Sequence, residues 1–266
     1  METMGAIQPT TRTVHVKWYH RVFAGFEPIV TAGHATALAG MRKISPTPQP
    51  GAPVSPAMLD WIANHIDHQK PQHRLMFGAA LLGFFYLLRS GEYLGVKGGR
   101  HRYALEVRDV EVFDAMNRPA VRFCDATSAQ GLGTSRRLWR SGHKRICPVL
   151  GAAILLELAA QHHLQPSDPI CSFNRTRIHK AEELSKVLKE AAAANGYDPQ
   201  QFSCHSLRSG GASALIGGGA DSTTIKLHGR WKSNSFQRYT HYSDDVGAPL
   251  AAIMAGTSNC TYRATP

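Results

Sequence analysis

The fold of this chain is decided by one stretch near its C-terminus, FSCHSLRSGGASALIGGGADSTTIKLHGRWKSNSFQRYTHY, which runs from Phe202 to Tyr242. The stretch alternates helix and turn signals and gathers histidine, arginine, tryptophan and tyrosine side chains. His205 and Arg208 lie three residues apart at the start of its first predicted helix, so both side chains point from one face. The Gly-rich IGGGAD that follows lacks the lysine of a phosphate-binding loop, and it predicts a helix end and a turn.

Length and composition indicate a globular protein with a polyanionic partner. The 266 residues are 43% hydrophobic, which is enough for a core. The formal net charge is +11, from 30 Lys and Arg against 19 Asp and Glu, and such an excess favours binding to nucleic acid. The longest apolar run, residues 76–88, is too short for a membrane helix, and the N-terminus lacks the apolar segment of a signal peptide. We therefore expect an intracellular protein with no membrane partner.

The spacing of cysteine and histidine argues against a metal centre or a disulfide framework. The five cysteines are scattered without a CxxC pair, which predicts reduced thiols inside a cell. The fourteen histidines include no HxxxH or HExxH spacing. No metal and no other cofactor is expected.

Hydrophobic periodicity predicts a mainly α-helical domain with a small antiparallel β-sheet. Ser55 and Pro56 form a helix start signal, and the apolar residues 72–96 predict a buried helix whose C-terminal end delivers Arg89. Helices are expected over residues 28–43, 55–66, 72–96, 150–163, 180–196 and the quoted stretch, and strands over residues 105–114, 120–126 and 144–149.

A proline-rich segment divides the chain near residue 50. Five prolines fall between Ile44 and Pro56, which is the composition of a linker. Residues 1–20 are polar with little periodicity, and we expect them either to be disordered or to have lost contact with a missing partner segment. The sequence thus predicts a short N-terminal region, residues 1–50, and a larger domain, residues 51–266.

Arginine and tyrosine side chains suit metal-free cleavage of a DNA phosphodiester. Such cleavage needs a hydroxyl that becomes a covalent carrier, fixed positive donors for the non-bridging oxygens, and a proton for the leaving 5′-oxygen. Arginine donates two parallel hydrogen bonds to phosphate and stays charged. Besides Arg208, the chain has Arg89 upstream in LLRSGEYL, with Glu92 placed to orient it.

In this order, the motifs LLRSGEYL, HSLR, GRW and a following tyrosine resemble the tyrosine recombinase (phage-integrase-like) family. The resemblance spans roughly residues 50–245, and GLG before CPV and the GRWKS motif are most similar to recombinases of DIRS- and Crypton-type eukaryotic mobile elements. It implies the catalytic-domain fold of DNA breaking-rejoining enzymes, and site-specific DNA cleavage and rejoining through a 3′-phosphotyrosine intermediate. Residues 1–50 would then be a remnant of the N-terminal core-binding segment with its linker.

The resemblance also implies a catalytic set, Arg89, His205, Arg208, Trp231 and Tyr239, with Glu92 and Lys144 in supporting roles. The two arginines would clamp the scissile phosphate, and the histidine would transfer a proton or hydrogen-bond the phosphate. The tryptophan would pack against the site and donate its indole N–H. Tyr239 would attack the phosphorus, and Tyr242, nearly one helical turn later, is the alternative nucleophile.

One position departs from the family pattern. The family places a lysine on a β-hairpin as the general acid, and Ala126 aligns with that lysine. Lys144 is the preferred substitute, ahead of Arg136 or Arg137, because arginine gives up a proton poorly. Cleavage would therefore be slow or lost.

The basic segment SRRLWRSGHKR, residues 135–145, is expected to lie along the DNA backbone, although a solvated hairpin or a nuclear-import signal also fits it. The partner implied by the resemblance is double-stranded DNA, with a tetramer on DNA in a complete protein. The expected location is the nucleus in a eukaryote and otherwise the cytoplasm with the chromosome. The expected DNA-binding residues are Arg136, Arg137, Arg140, Lys144, Arg145, Arg230 and Lys232.

Each of these residues also has an ordinary structural explanation. Arg89 and Glu92 could form a helix-end ion pair, and Trp231 could be a core aromatic side chain. A catalytically decayed or repurposed DNA-binding protein is the main alternative function, and a type IB topoisomerase, which shares the chemistry, is another. The joint order of the separated motifs favours the recombinase.

Overall fold

The computed structural model describes residues 9–29, 31–44, 51–96, 99–101, 104–115, 118–125, 134–231 and 233–239. The chain divides into two compact units, residues 1–49 and residues 50–266. No helix in these described ranges is both long enough and apolar enough to cross a membrane.

The N-terminal unit contains the helices α1 (Pro9–Phe23) and α2 (Ala32–Ile44). The helix predicted over residues 28–43 is confirmed by α2, whereas the disorder expected for residues 1–20 is wrong for the part that α1 covers. Trp18 and Phe23 remain exposed on α1, with their ring centroids 5.9 Å apart. Of the α1 side chains that the structure describes, residues 16–23, none is buried, so no inward-facing apolar pattern is seen there that hydrophobic periodicity could detect.

The larger unit combines helices with one antiparallel sheet in the order β1-β2-β3. Val112 of β1 pairs with Val121 of β2, which pairs with Leu138 of β3. This architecture confirms the predicted fold class. Its helices are α3 (Pro56–His65), α4 (Pro71–Phe85), α5 (Pro148–Gln161), α6 (Ala181–Ala194), α7 (Cys204–Gly217) and α8 (Ser222–His228), its strands are β1 (Val110–Ala115), β2 (Arg118–Asp125) and β3 (Thr134–Trp139), and its 3₁₀ turns are Ser90–Glu92, Val107–Asp109, Pro199–Gln201 and Asn234–Tyr239.

The third strand lies earlier in the chain than the sequence predicted. The prediction of a strand over residues 144–149 is wrong, because these residues end a turn and open α5 at Pro148. In β3, Arg136 and Leu138 face the protein while Arg137 and Trp139 are exposed. The sequence did not predict this strand, because its inward-facing positions include an arginine, Arg136, where an apolar residue is expected.

The start signals of the larger unit are confirmed. Ser55 caps α3, since its hydroxyl oxygen accepts a hydrogen bond from the N–H of Met58 at 3.3 Å, and Pro56 begins the helix. The buried helix predicted over residues 72–96 is α4, which packs against α5 and α7, and the prediction is wrong for residues 86–96, which are not α-helical. Because α4 ends at Phe85, it delivers Arg89 just beyond its last turn.

Two glycines bring α7 into close contact with its neighbours. A Cβ atom at Gly210 would lie 2.1 Å from the carbonyl oxygen of Val54, and one at Gly211 would lie 2.1 Å from that of Phe84. A Cβ atom cannot lie this close to a carbonyl oxygen, so a side chain at either position would force the main chain to move. The first turns of α7 therefore rest directly on the end of α4, and this contact sets the position of Arg208.

Replacing Gly211 with alanine should destabilise the larger unit, because the new Cβ must push α7 away from Phe84. We expect Gly211→Ala to lower the free energy of unfolding by about 1–3 kcal/mol in chemical denaturation. Gly217 in the same helix has nothing within 4 Å of its Cβ position. Gly217→Ala should therefore be neutral or stabilising by less than about 1 kcal/mol. Equal losses for the two variants would contradict the close contact.

Candidate active site

Arg89 and Glu92 form a compact unit directly after α4. The N–H of Arg89 donates to Oε2 of Glu92 at 2.8 Å, and its Nη1 donates to Oε1 at 3.1 Å. The Arg89 side chain is 42% exposed, whereas that of Glu92 is 8% exposed. The carboxylate thus holds the guanidinium from below and leaves it open to solvent, which is the geometry expected of an orienting residue.

A second arginine reaches Glu92 from the end of α8. Nη2 of Arg230 donates to Oε2 of Glu92 at 2.7 Å, and the Arg230 side chain is 7% exposed. Burial is the largest influence on the pKa of Glu92 and raises it, but Arg230 and Arg89 outweigh burial and lower that pKa below its ordinary value. Glu92 is therefore a charged group between two arginines.

Arg208 lies buried where three parts of the chain meet. Its Nη1 donates to the carbonyl oxygen of Leu87, just after α4, and its Nη2 donates to that of Gly229 at 2.8 Å. The guanidinium carbon lies 4.2 Å from the ring centroid of Trp231. With 1% exposure, Arg208 sits beneath the surface, and it joins the ends of α4 and α8.

Arg136 bridges the same two helix ends. Its Nη1 donates to the carbonyl oxygen of Tyr86 and, at 3.0 Å, to that of His228. Nε2 of His228 lies 2.7 Å from the carbonyl oxygen of Phe85. Three successive carbonyl groups, starting with that of the last residue of α4, are thus contacted by His228, Arg136 and Arg208. Helix C-termini carry partial negative charge, so both guanidinium groups are placed where the main chain favours cations.

His205 lies close enough to Arg89 and Arg208 for both charges to affect its pKa. It is the second residue of α7, and Oγ of the capping Ser203 accepts a hydrogen bond from its N–H at 3.3 Å. Partial burial, then Arg208, then Arg89 lower the pKa of His205 below the ordinary value. The fold therefore brings Arg89, Arg208 and His205 to one place, although they come from distant parts of the sequence.

The segment after α8 packs over α7. Trp231 and Phe236 are each 6% exposed, and they form a small apolar cluster with Leu87 and neighbouring side chains. A Cβ atom at Gly229 would lie 1.7 Å from the Trp231 ring, so the indole packs directly against this glycine. Tyr239 ends the 3₁₀ turn in this segment.

Some of the predicted DNA-binding side chains are open to solvent, and others bind groups of the protein. Arg137, Arg140 and Lys144 are exposed. Arg145 makes a two-point ion pair with Asp60 of α3, with Nε to Oδ1 at 2.9 Å and Nη2 to Oδ2 at 3.0 Å. Asp60 therefore partly neutralises the charge of Arg145, and this ion pair links the turn before α5 to α3.

Two of the predicted DNA-binding residues, Arg136 and Arg230, have buried side chains that donate to groups of the protein. Sequence could not reveal this, because Arg136 is 50 residues from Tyr86 and Arg230 is 138 residues from Glu92. Lys232, Ala126 and Tyr242 lie outside the described residues. Among the described residues, no three potential metal ligands lie together.

Solved structures similar to this chain include DNA recombinases and an integrase. The post-cleavage complex of the XerH site-specific recombinase bound to palindromic difH substrate has a TM-score of 0.55 at 15% identity, over 76% of this chain and 52% of its own. The XerH pre-cleavage complex bound to difH substrate has a TM-score of 0.53 at 14% identity, over 91% of this chain and 70% of its own. A complex of the Tn1549 transposon integrase with a circular intermediate DNA has a TM-score of 0.51 at 10% identity, over 92% of this chain and 78% of its own.

No protein-family model matches the chain, and no curated protein is significantly similar to it in sequence. The chain spans about half the length of the XerH chain in the post-cleavage complex. The structural likeness concerns the fold: the larger unit has the tyrosine recombinase catalytic-domain fold, mainly helical with a small antiparallel sheet.

An anion bound between Arg89 and Arg208 should raise the pKa of His205, because its negative charge offsets the two cations that favour the neutral imidazole. Titration of the His205 ring protons by NMR should give a pKa below the ordinary histidine value without the anion, and a higher value with sulfate. A His205→Asn variant identifies the signal. A pKa that is not lowered, or that sulfate leaves unchanged, would contradict this arrangement.

Proposed function

We propose that this chain cleaves and rejoins DNA strands at specific sites through a covalent 3′-phosphotyrosine intermediate. The observation that carries the proposal is the convergence of Arg89, His205 and Arg208 at the junction of α4 and α7. The fold of the larger unit, shared with recombinases solved on DNA, supports the same conclusion. The formal net charge of +11 suits a polyanionic substrate.

In the proposed reaction, the hydroxyl of Tyr239 attacks the scissile phosphorus. A bond forms between the tyrosine oxygen and phosphorus, and the bond from phosphorus to the 5′-oxygen of the DNA breaks. A 5′-hydroxyl from a second strand then attacks the phosphotyrosine, releases Tyr239 and restores a phosphodiester. One ester bond replaces another in each step, so the exchange needs no external energy source.

The side chains around the phosphate have distinct roles in this proposal. The exposed Arg89 donates hydrogen bonds to the non-bridging oxygens, and Arg208 adds positive charge from beneath. His205, neutral because its pKa is lowered, can accept the tyrosine proton. Trp231 covers Arg208 and keeps water from its guanidinium. A direct contact between Arg208 and phosphate requires the covering segment to shift when DNA binds.

The proposed DNA surface is built from exposed cations near residues 135–145. Arg137, Arg140 and Lys144 are its described members, and Lys232 is added from the sequence resemblance. We leave Arg136 and Arg230 out, because both are buried against protein groups. Assembly as a tetramer on DNA, and an origin in a mobile element of the DIRS or Crypton type, belong to this proposal through the sequence resemblance alone.

A second candidate function is DNA binding without efficient cleavage. The sequence resemblance, which aligns Ala126 with the family's hairpin lysine, supports this candidate, and the observation that favours it is the almost complete burial of Arg208. Loss of a general acid slows proton transfer to the leaving oxygen by roughly a hundred- to ten-thousand-fold. The two candidates differ in whether a covalent adduct with DNA forms.

The proposed nucleophile is tested with a pool of nicked DNA duplexes of randomised sequence, in which the cleaved strand end diffuses away and traps the intermediate. The wild-type chain should form a denaturation-resistant protein–DNA adduct. Tyr239→Phe should abolish the adduct, because it removes the attacking oxygen, while DNA affinity in gel-shift titration stays the same. Tyr242→Phe is the matched control and should retain the adduct. Loss of the adduct only in Tyr242→Phe would reassign the nucleophile, and DNA binding without any adduct would favour the second candidate.

A further inference from the structure

Arg230 occupies a main-chain position that normally favours glycine. The end of α8 is closed by hydrogen bonds from the N–H of Trp231 to the carbonyl oxygen of Lys226 at 2.9 Å, and from the N–H of Arg230 to that of Leu227 at 3.1 Å. In this type of helix end, the residue after the cap adopts the left-handed conformation, which glycine adopts most easily. Arg230 adopts it with φ +58°, although its Cβ makes the conformation unfavourable.

The side chain of Arg230 forms a buried ion pair with Glu92. The two side chains are 7% and 8% exposed, and their ion pair is 2.7 Å long. The same Glu92 binds both the N–H and the guanidinium of Arg89, at 2.8 and 3.1 Å. A continuous line of contacts therefore runs from Arg230 through Glu92 to Arg89, and only Arg89 at its end is open to solvent.

The residues on either side of Arg230 serve the other arginine of the site. The carbonyl group of Gly229 accepts a hydrogen bond from Arg208 at 2.8 Å, and the ring of Trp231 lies 4.2 Å from the guanidinium of Arg208. Of these three consecutive residues, Gly229 and Trp231 thus contact Arg208 directly, and Arg230 contacts the carboxylate that holds Arg89. Any shift of this turn would move both guanidinium groups.

We infer that Arg230 is a positioning residue, which fixes the carboxylate of Glu92 so that Glu92 aims the Arg89 guanidinium at the phosphate. The inference rests on the proposed function for its activity readout. It replaces the expectation that Arg230 contacts DNA, and it explains why an arginine stands where glycine would be easier to accommodate. The turn that carries Trp231 is thereby coupled to Arg89.

The first experiment separates positioning from DNA contact. Arg230→Gln should bind the nicked DNA pool with wild-type affinity and salt dependence, but adduct formation at saturating DNA should slow by roughly tenfold to a hundredfold, because Arg89 loses its alignment. Arg230→Lys, which keeps the charge, should recover part of the rate. Arg137→Gln should instead reduce the slope of affinity against salt by about one unit. Arg175→Gln removes an exposed charge elsewhere and should change neither property.

Weaker DNA binding by Arg230→Gln with a reduced salt slope, and an unchanged rate at saturating DNA, would overturn the inference. So would a lysine variant no faster than the glutamine variant. These outcomes assign Arg230 either to the DNA contact surface or to a role unrelated to its charge.

The second experiment does not depend on cleavage. The denaturation midpoints of Glu92→Gln, Arg230→Gln and the double variant should show that the double variant loses less than the sum of the single losses, because each single change leaves one buried charge without its partner. The coupling between Arg89 and Glu92, measured in the same way, should weaken in the Arg230→Gln background. Additive losses would overturn the inference. If the wild-type chain forms no adduct, the proposed function fails, while these midpoints still decide whether Arg230 holds Glu92 in place.

Discussion

A guanidinium group buried between two helix ends is the interaction on which the candidate site depends. Arg208 is 1% exposed, and a charge removed from water is tolerated only where hydrogen bonds replace its hydration. The carbonyl groups of Leu87 and Gly229 provide such bonds, and helix C-termini add a favourable potential. For α7 to bury this arginine, α4 and α8 must end beside each other, and Gly211 must let α7 approach closely.

The same constraint concentrates positive charge in one place. Arg136 repeats the bridge between the two helix ends, Arg230 is held by Glu92, and Arg89 stands at the surface above them. Glu92 is the carboxylate that holds Arg89 and Arg230. The pKa of His205 is lowered first by partial burial and then by the cations Arg208 and Arg89. A phosphate group is the natural complement of this arrangement. Under the proposed function, the phosphate of bound DNA would relieve the repulsion between these cations.

Local signals in the sequence predicted much of this geometry, whereas long-range contacts could not be predicted. The HSLR spacing placed His205 and Arg208 on one face of a helix, and the apolar stretch before Arg89 predicted its delivery by a buried helix. Nothing in the spacing links Arg230 to Glu92, because 138 residues separate them and only the packing of α7 on α4 brings them together. The strand containing Arg136 was missed for a related reason: an arginine that binds main-chain carbonyl groups looks like a surface residue until the fold is known.

The most direct test is a crystal structure of the chain with bound orthovanadate, an analogue of the transition state of phosphoryl transfer. We predict that vanadate binds at the junction of α4 and α7. It should accept hydrogen bonds from the Arg89 guanidinium and lie next to His205 and Arg208. Arginines 89 and 208 that face separate surfaces, or vanadate bound elsewhere with none at this junction, would contradict it.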